Sequence, residues 1–199
     1  MEAADPGSGG SLNAPSASEL ARRIIDVLEA RAIPHAVGGA LALGVWGFPR
    51  ATKDVDLDVF VEAKALTPVF DALESAGCSV ERAVAAASAQ ERGDFQAWFG
   101  PVRIDVFVPS IPFYGQVQAR IRRAKLEGRA AWFLAPEDLA VMKLLFFRAK
   151  DLIDVERLVA SLGPTFDRDY VARALDEIVG PDDERVGRWR RLLGDVDAR

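Results

Sequence analysis

Three aspartates, Asp54, Asp56 and Asp58, alternate with apolar residues in the segment 54–61. A period of two predicts a β-strand that carries all three carboxylates on one face. Like charges on one face repel and aspartate is depleted in strands, so a purely structural strand would not favour this pattern. A divalent cation relieves the repulsion, because carboxylate oxygens are the natural ligands of Mg²⁺ or Mn²⁺. The segment alone leaves two interpretations open, a metal site and an exposed edge strand with a solvated acidic face.

A fourth aspartate, Asp105, lies in the mainly apolar segment 102–108, which also has the composition of a strand. If the two strands are neighbours, the carboxylate of Asp105 joins those of Asp54 and Asp56. A third carboxylate could ligate a second ion or take the proton from an attacking hydroxyl. The alternative is an inward-pointing charge that protects an edge strand.

A glycine pair, Gly38-Gly39, lies upstream of the aspartates, between a short predicted strand at 35–37 and a predicted helix at 40–46. Glycine lets the backbone approach a phosphate, and the N-terminus of a helix offers unpaired N–H groups and a positive dipole end. The pair therefore suggests a phosphate site, with an ordinary turn as the alternative.

The remaining elements would position these residues in an α/β arrangement. A disordered tail is expected over residues 1–17, followed by a helix with Ser18 as its N-cap. Further predicted elements are a helix at 64–76, a hairpin of strands 94–99 and 102–108 around Gly100-Pro101, a short helix at 114–123, and strand pieces at 125–127 and 130–134. The chain reads as helical from Pro136 onward, with breaks at Gly163-Pro164 and Gly180-Pro181. We expect a core over residues 18–135 and a C-terminal helical region over 136–199.

Composition excludes several other kinds of site. The net charge of −5 does not favour a basic nucleic-acid-binding protein, although a local patch remains compatible with it. The single cysteine, Cys78, cannot form an internal disulfide or a zinc cage, and the single histidine, His35, lacks a Gly-x-Ser-x-Gly partner motif. No segment offers the roughly 18 apolar residues of a membrane span, and the first residues lack the features of a secretory signal. We expect a cytoplasmic protein that does not contact membranes.

These motifs together resemble the nucleotidyltransferase superfamily of the polymerase-beta fold. The resemblance covers about residues 33–162, and the motifs that carry it are Val37-Gly38-Gly39, Arg50-Ala51-Thr52-Lys53-Asp54-Val55-Asp56 and Asp105 in its apolar strand. The pattern Arg-x-Thr-x-Asp-hydrophobic-Asp is typical of the branch that holds AbiEii-like and MenT-like toxins. The run 142–154, with Lys143 and then Arg148-Ala149-Lys150-Asp151, is similar to the same branch.

The resemblance implies an α/β (α+β) fold with a small mixed sheet, flanking helices and a C-terminal helical region. It also implies a metal-dependent reaction, in which Asp54, Asp56 and Asp105 hold one or two Mg²⁺ or Mn²⁺ ions and are the catalytic residues. The nucleoside triphosphate (NTP) would lie along Gly38 and Gly39. Further expected nucleotide-binding residues are Arg50, Thr52, Lys53 and Lys143.

Several residues keep two interpretations. Lys143 could reach a phosphate as a point charge, or it is a surface lysine. Spacing favours the helix pairs Arg148–Asp151 and Lys150–Asp154, which would form a salt-bridged joint or contact the substrate. Ala40 stands where many relatives have serine or threonine, which puts that phosphate contact in doubt. Asp58 is an additional acid beyond the pair that the superfamily usually has on this strand. It either faces solvent or lies too far along the strand to contact the metal.

The predicted function is transfer of a nucleoside monophosphate (NMP) from an NTP to an acceptor hydroxyl. The toxin branch implies tRNA as the acceptor and a cognate antitoxin protein as a partner. The alternatives are an antibiotic hydroxyl as the acceptor, or an inactive member that binds nucleotide or a partner protein. A basic cluster is the candidate for contact with an RNA backbone, with a solvated face as the alternative; it comprises Arg120, Arg122, Arg123, Lys125 and Arg129.

Overall fold

A single six-stranded sheet organises the chain. The computed structural model describes residues 15–198. The strands are β1 (His35–Val37), β2 (Val55–Val59), β3 (Asp94–Phe99), β4 (Val102–Phe107), β5 (Arg122–Leu126) and β6 (Arg129–Phe133), in the order β3-β4-β2-β1-β6-β5. The pairs β2–β4 and β1–β6 are parallel, and the other three pairs are antiparallel. This mixed sheet with flanking helices confirms the predicted fold class.

Helices flank the sheet and fill the C-terminal part of the chain. Their bounds are α1 (Ala17–Ala30), α2 (Gly39–Val45), α3 (Thr67–Ser75), α4 (Arg82–Arg92), α5 (Phe113–Arg120), α6 (Pro136–Phe146), α7 (Ala149–Leu162), α8 (Arg168–Val179) and α9 (Glu184–Asp197). A 3₁₀ turn at Gly163–Thr165 separates α7 from α8. The predicted helical region after Pro136 is therefore present, with breaks at the two expected Gly-Pro sites. No helix within residues 15–198 has the length and apolar character needed to cross a bilayer.

The first helix begins two residues earlier than the sequence pattern predicted. Ser16, not Ser18, is its N-cap, because the Ser16 hydroxyl accepts from the Glu19 N–H while the Glu19 carboxylate accepts from the Ser16 N–H. Such a reciprocal capping box gives hydrogen-bond partners to two backbone N–H groups that the helix itself cannot pair. Most of the predicted tail, residues 1–14, lies outside the described part of the chain.

Two elements of the core differ from expectation. Helix α4 occupies a stretch for which the hydrophobic pattern predicted nothing, because its alanine-rich sequence has helix propensity but only a narrow apolar face. Strand β5 starts at Arg122, three residues before its predicted start, and the preceding helix ends at Arg120. Ion pairs of both arginines with Glu137 fix this boundary, and short-range sequence patterns do not encode such contacts.

The central strands carry the apolar core on one face and the acidic residues on the other. In β2 the side chains of Val55, Leu57 and Val59 are fully or almost fully buried. Strand β2 lies between β4 and β1, so it is not the edge strand of the alternative interpretation. Strand β4 is also internal, which removes the edge-protection interpretation of Asp105.

Candidate active site

The register of β2, β4 and β3 brings the predicted acidic residues together. Asp56 is the partner of Asp105 across the parallel β2–β4 pair, and Gln96 of β3 is the partner of Asp105 on its other side. One step further along, Asp58 is opposite Phe107. Partners in register point to the same face of a sheet, so these side chains form rows across one surface.

Desolvation and like charges raise the proton affinity of two aspartates on this face. Burial, and then the negative charge of Asp105, raise the pKa of Asp56 above its ordinary value. Burial, and then the charge of Asp56, raise the pKa of Asp58 well above its ordinary value. Only 3% of Asp58 is exposed, so the solvent-facing alternative for this residue is wrong. Asp58 lines the same pocket as Tyr114, whose pKa is also raised by burial and by the charge of Asp58.

The glycine pair lies directly against these aspartates. Gly38 is the N-cap residue of α2, and its N–H donates to the Asp56 carbonyl at 3.0 Å. Gly39 has a φ of +53°, and a Cβ on it would be 1.8 Å from Asp56 Oδ2. A Cβ on Gly38 would approach Asp58 Oδ2 to 3.0 Å. Glycine is therefore required at 39 by both backbone conformation and space.

Arg103 bridges two of the predicted metal ligands. Its Nη2 is 3.1 Å from Asp54 Oδ2 and 2.9 Å from Asp105 Oδ2, and its Nε also donates to Asp105 at 3.0 Å. The sequence pattern gave Arg103 no role. Its position two residues before Asp105 in a strand was the available signal, because residues i and i+2 share a face.

A pocket of about 300 Å³ opens over this face, between the sheet and the helices α6 and α7. Of the nine predicted site residues, seven line it: Gly39, Arg50, Thr52, Asp54, Asp56, Asp105 and Lys143. The other two, Gly38 and Lys53, do not line the pocket: Gly38 is next to Asp58, and Lys53 is exposed. Thr52 exchanges hydrogen bonds with the Asp54 backbone, which shapes the entry into β2. Lining residues that the sequence patterns did not predict include Gln96, Arg103, Phe107, Tyr114 and Phe146.

The helical wall of the pocket is a network of opposite charges. Lys143 is buried, so it is not a surface lysine, and its Nζ is 2.7 Å from Asp154 and 3.3 Å from Asp151. The predicted Arg148–Asp151 pair is present. The predicted Lys150–Asp154 pair is replaced, because Asp154 binds Lys143 and Arg50 instead.

The pKa of Asp151 shows that the cations of this network compensate its buried negative charge. Burial acts to raise the pKa of Asp151, but the hydrogen bond from Arg148 and the charge of Lys143 outweigh it, and the pKa is lowered. The helical wall is thus neutralised internally, in contrast to the sheet face.

The basic cluster considered for RNA contact is largely engaged by acids of the same chain. Arg120 and Arg122 both pair with Glu137 at 3.0 Å, and Arg120 also lies over the Tyr170 ring and pairs with Asp138. Arg129 pairs with Asp26 at 2.8 Å, and Arg123 lies 3.9 Å from Glu29. These contacts join β5, β6 and α5 to α1, α6 and α8, which is a structural role.

The chemistry of the acidic face suits a divalent ion. Asp54, Asp56 and Asp105 offer hard carboxylate oxygens, and the space beside Asp56 is kept open by Gly39, where a Cβ would fill it. Within residues 15–198, no three side chains of aspartate, glutamate, histidine or cysteine are close enough together to hold a metal ion between them. Arg103 lies between Asp54 and Asp105 in this arrangement.

Several solved structures have a similar fold. The solution structure of the antibiotic-resistance factor ANT(2'')-Ia is similar with a TM-score of 0.58 and 17% identity, covering 91% of this chain and 92% of that chain. A crystal structure of ANT(2'')-Ia in complex with adenylyl-2''-tobramycin has a TM-score of 0.57 and 16% identity, covering 87% and 97%. An antigenic nucleotidyltransferase-like protein from Paracoccidioides brasiliensis has a TM-score of 0.50 and 17% identity, covering 88% and 92%. No curated protein matches the chain significantly in sequence.

A family profile gives the assignment at the level of sequence. The profile described as "Nucleotidyltransferase of unknown function (DUF6036)" matches residues 31–171, from β1 into α8. This range contains both the acidic face of the sheet and the helical wall of the pocket. The match supports the superfamily that the motifs indicated, while the AbiEii-like and MenT-like branch stays a prediction. The chain therefore belongs to the DUF6036 family of nucleotidyltransferases.

Proposed function

We propose that the protein transfers an NMP from an NTP to an acceptor hydroxyl with the help of a divalent ion. The observation that carries the proposal is the alignment of Asp56 with Asp105 on adjacent parallel strands, facing a pocket lined by Gly39. A structural sheet would not favour two desolvated carboxylates side by side. A cation makes such a pair favourable, which explains why the acids are retained there.

In this proposal each residue of the pocket has a role that follows from its position. Asp54 and Asp56 would hold Mg²⁺ or Mn²⁺, and Asp105 would complete the ligand set and orient the attacking hydroxyl. The bound ion would stabilise the charge that spreads over the phosphates during transfer. Gly39 would allow the triphosphate to approach the backbone, and the pocket cations Arg50 and Lys143 would contribute a positive field.

The raised pKa of Asp56 agrees with this division of roles. Ionisation of Asp56 is opposed by burial and by the charge of Asp105 when no cation is near. A cation between the two carboxylates favours ionisation and offsets the repulsion. Transfer and ion binding should therefore both improve as pH rises through the raised pKa of Asp56.

For the acceptor, the charges favour a small hydroxyl compound over tRNA. The arginines that would contact an RNA backbone are paired with Glu137, Asp138, Asp26 and Glu29, and RNA affinity depends on cations available to phosphates. A compact pocket lined by Asp94, Gln96 and Tyr114 beside the acids suits a polyhydroxylated or amine-bearing molecule. Binding of adenylyl-2''-tobramycin by ANT(2'')-Ia is consistent with such an acceptor on this fold. The predicted tRNA acceptor and antitoxin partner remain predictions of the toxin branch.

The test is a transfer assay with each α-labelled NTP and Mg²⁺ or Mn²⁺, against a panel of aminoglycosides and lincosamides and, separately, total RNA. We expect label on a small molecule with one preferred NTP. Label on RNA alone would overturn the small-molecule acceptor and support the toxin assignment. Failure to bind any NTP at millimolar concentration in the presence of the ion would reject nucleotidyl transfer altogether.

Matched variants distinguish chemistry from folding. Asp56→Asn keeps the shape of the side chain but removes the charge, so we expect transfer to fall below detection while the circular dichroism spectrum is unchanged. Asp71→Asn is the control, because Asp71 is an acid that pairs with Arg82 on the surface and does not line the pocket. Activity of Asp71→Asn should equal that of the wild type.

A further inference from the structure

Arg103 is the cation that lies nearest to the proposed metal ligands. Its guanidinium contacts Asp54 through one nitrogen and Asp105 through two. These contacts engage Oδ2 of Asp54 and Oδ2 of Asp105. A guanidinium with two carboxylate partners is held more firmly than a single surface ion pair, because each hydrogen bond is charge-assisted.

The side chain is also placed where it can leave. The exposed fraction of its side chain is 37%, so this arginine, which lines the pocket, is not enclosed in the core. Its cross-strand partner Trp98 is also exposed, at 44%. Movement away from the carboxylates therefore requires no rearrangement of the sheet.

We propose that Arg103 is an internal counter-ion that competes with the divalent ion for Asp54 and Asp105, and that its guanidinium passes to the phosphates of the incoming nucleotide. The inference rests on the proposed function, because it concerns the same site. Within residues 15–198 no three candidate ligands are grouped for an ion, and Arg103 engages two of the proposed ligands, Asp54 and Asp105. Phosphate oxygens are a suitable new partner, since the planar guanidinium binds them in a bidentate manner.

The consequence is a coupling between ion and nucleotide. In the absence of nucleotide the arginine disfavours the ion, and a nucleotide that takes the guanidinium removes this competition. Such linkage is reciprocal, so each ligand raises the affinity for the other. Productive binding of the ion would then depend on the presence of the substrate, which limits binding of stray metal to the empty acidic face.

The test measures Mn²⁺ binding by electron paramagnetic resonance on the full chain, first without nucleotide. We expect Arg103→Gln to bind Mn²⁺ about tenfold more tightly than the wild type, which corresponds to about 1.4 kcal/mol. Arg103→Lys, which keeps the charge but loses the bidentate bridge, should lie between them. Arg82→Gln is the matched control, because Arg82 also bridges two acids, Asp71 and Glu74, but away from the pocket.

A second measurement excludes a merely structural role for Arg103. With saturating Mn²⁺, the affinity for an NTP analogue with a non-cleavable α–β bridge should fall about fivefold in Arg103→Gln, opposite in sign to the ion effect. A damaged site would weaken both ligands together.

The outcomes separate this inference from the proposed function. Saturable Mn²⁺ binding that is equal or weaker in Arg103→Gln overturns the competition, and nucleotide affinity that is unchanged or tighter overturns the transfer of the guanidinium to phosphate. If neither wild type nor any variant shows saturable Mn²⁺ binding, with or without the analogue, the metal-dependent function itself is wrong.

Discussion

Two clusters of charged residues face each other across the pocket, and their charge balance differs. On the sheet are four acids, Asp54, Asp56, Asp58 and Asp105, and the ion pairs of Asp54 and Asp105 are both made with one residue, Arg103. On the helices α6 and α7, the two acids Asp151 and Asp154 are contacted by Lys143, Arg148 and Arg50. One cluster has excess negative charge and the other is compensated.

The pKa shifts follow this difference. Burial raises the pKa of Asp56 and Asp58 on the sheet, where like charges add to it, whereas cations lower the pKa of Asp151 on the helices despite its burial. Removal of one partner from a compensated cluster destabilises the fold, because it leaves a buried charge without a partner. An uncompensated one costs stability and is typical of a site that awaits a ligand. The two walls of the pocket therefore serve different purposes, and substitutions should separate them.

The largest expected effect is on transfer and comes from the sheet. Asp105→Asn should reduce kcat about a thousandfold or more, since one carboxylate of the proposed ligand set is lost at the reacting centre. The free energy of unfolding should change by less than about 0.5 kcal/mol, because like-charge repulsion falls as the pair with Arg103 is lost. Transfer assays and urea denaturation measure the two quantities. A large loss of stability with little loss of kcat would reverse the assignment of the two walls.

The next largest effect is on stability and comes from the helices. Lys143→Met leaves Asp151 and Asp154 without their buried cation, and we expect the free energy of unfolding to fall by about 3 kcal/mol. Lys150→Met is the control, because Lys150 is exposed at the same pocket and should change stability by less than about 0.5 kcal/mol. Equal effects in the two variants would contradict the compensated network.

The smallest effect is a pH dependence with opposite signs on the two walls, measured in EDTA. Because the folded pKa of Asp58 is raised, the folded state resists its ionisation, and the cost grows as pH rises above the ordinary value of 3.8. Asp58→Asn should therefore gain about 1 kcal/mol at pH 7, or about 2–4 °C in Tm, and nothing below pH 3.8.

For Asp151→Asn we expect the opposite effect on stability at neutral pH. Its folded pKa is lowered, so its stabilising contribution is fully present above the ordinary value of 3.8 and is lost as pH falls through the folded pKa. Asp151→Asn should thus be destabilised at pH 7 and approach the wild type in acid. Thermal unfolding between pH 3 and pH 8 measures the Tm of both variants relative to the wild type. If the Tm difference has the same sign for both variants at pH 7, the proposed contrast between the two walls is wrong.

The sequence predicted the parts of the fold that depend on local patterns. Alternation of Asp54, Asp56 and Asp58 identified β2, the Gly100-Pro101 turn identified the β3–β4 hairpin, and Pro136 marked the start of α6. For Asp105 the sequence left two interpretations open, a neighbour of the β2 acids and an edge-protecting charge, and the β2–β4 pairing decides between them. These features are encoded within a few residues, so a single sequence suffices to read them.

Contacts between distant residues were not predictable in the same way. Asp58 raises the pKa of Tyr114, which is more than 50 residues away in the sequence. Asp154 pairs with Lys143 and Arg50 and not with a residue of its own helix turn. The bridge from Arg103 to Asp54 depends on the register of two strands. No local pattern distinguishes a solvated charge from one that meets an opposite charge across the fold.

The contact between Gly39 and Asp56 has a consequence for how this chain can change over generations. A methyl group at 39 would overlap the Asp56 carboxylate at 1.8 Å, so substitutions at the two positions are not independent. If Asp56 is first shortened to glycine, Gly39→Ala retains only the strain of a left-handed backbone, about 1 kcal/mol. A lineage that loses both residues must therefore lose the aspartate before the glycine. Related sequences with alanine at position 39 and aspartate at position 56 should be absent. A comparison of related sequences would therefore show in which order the two residues are replaced.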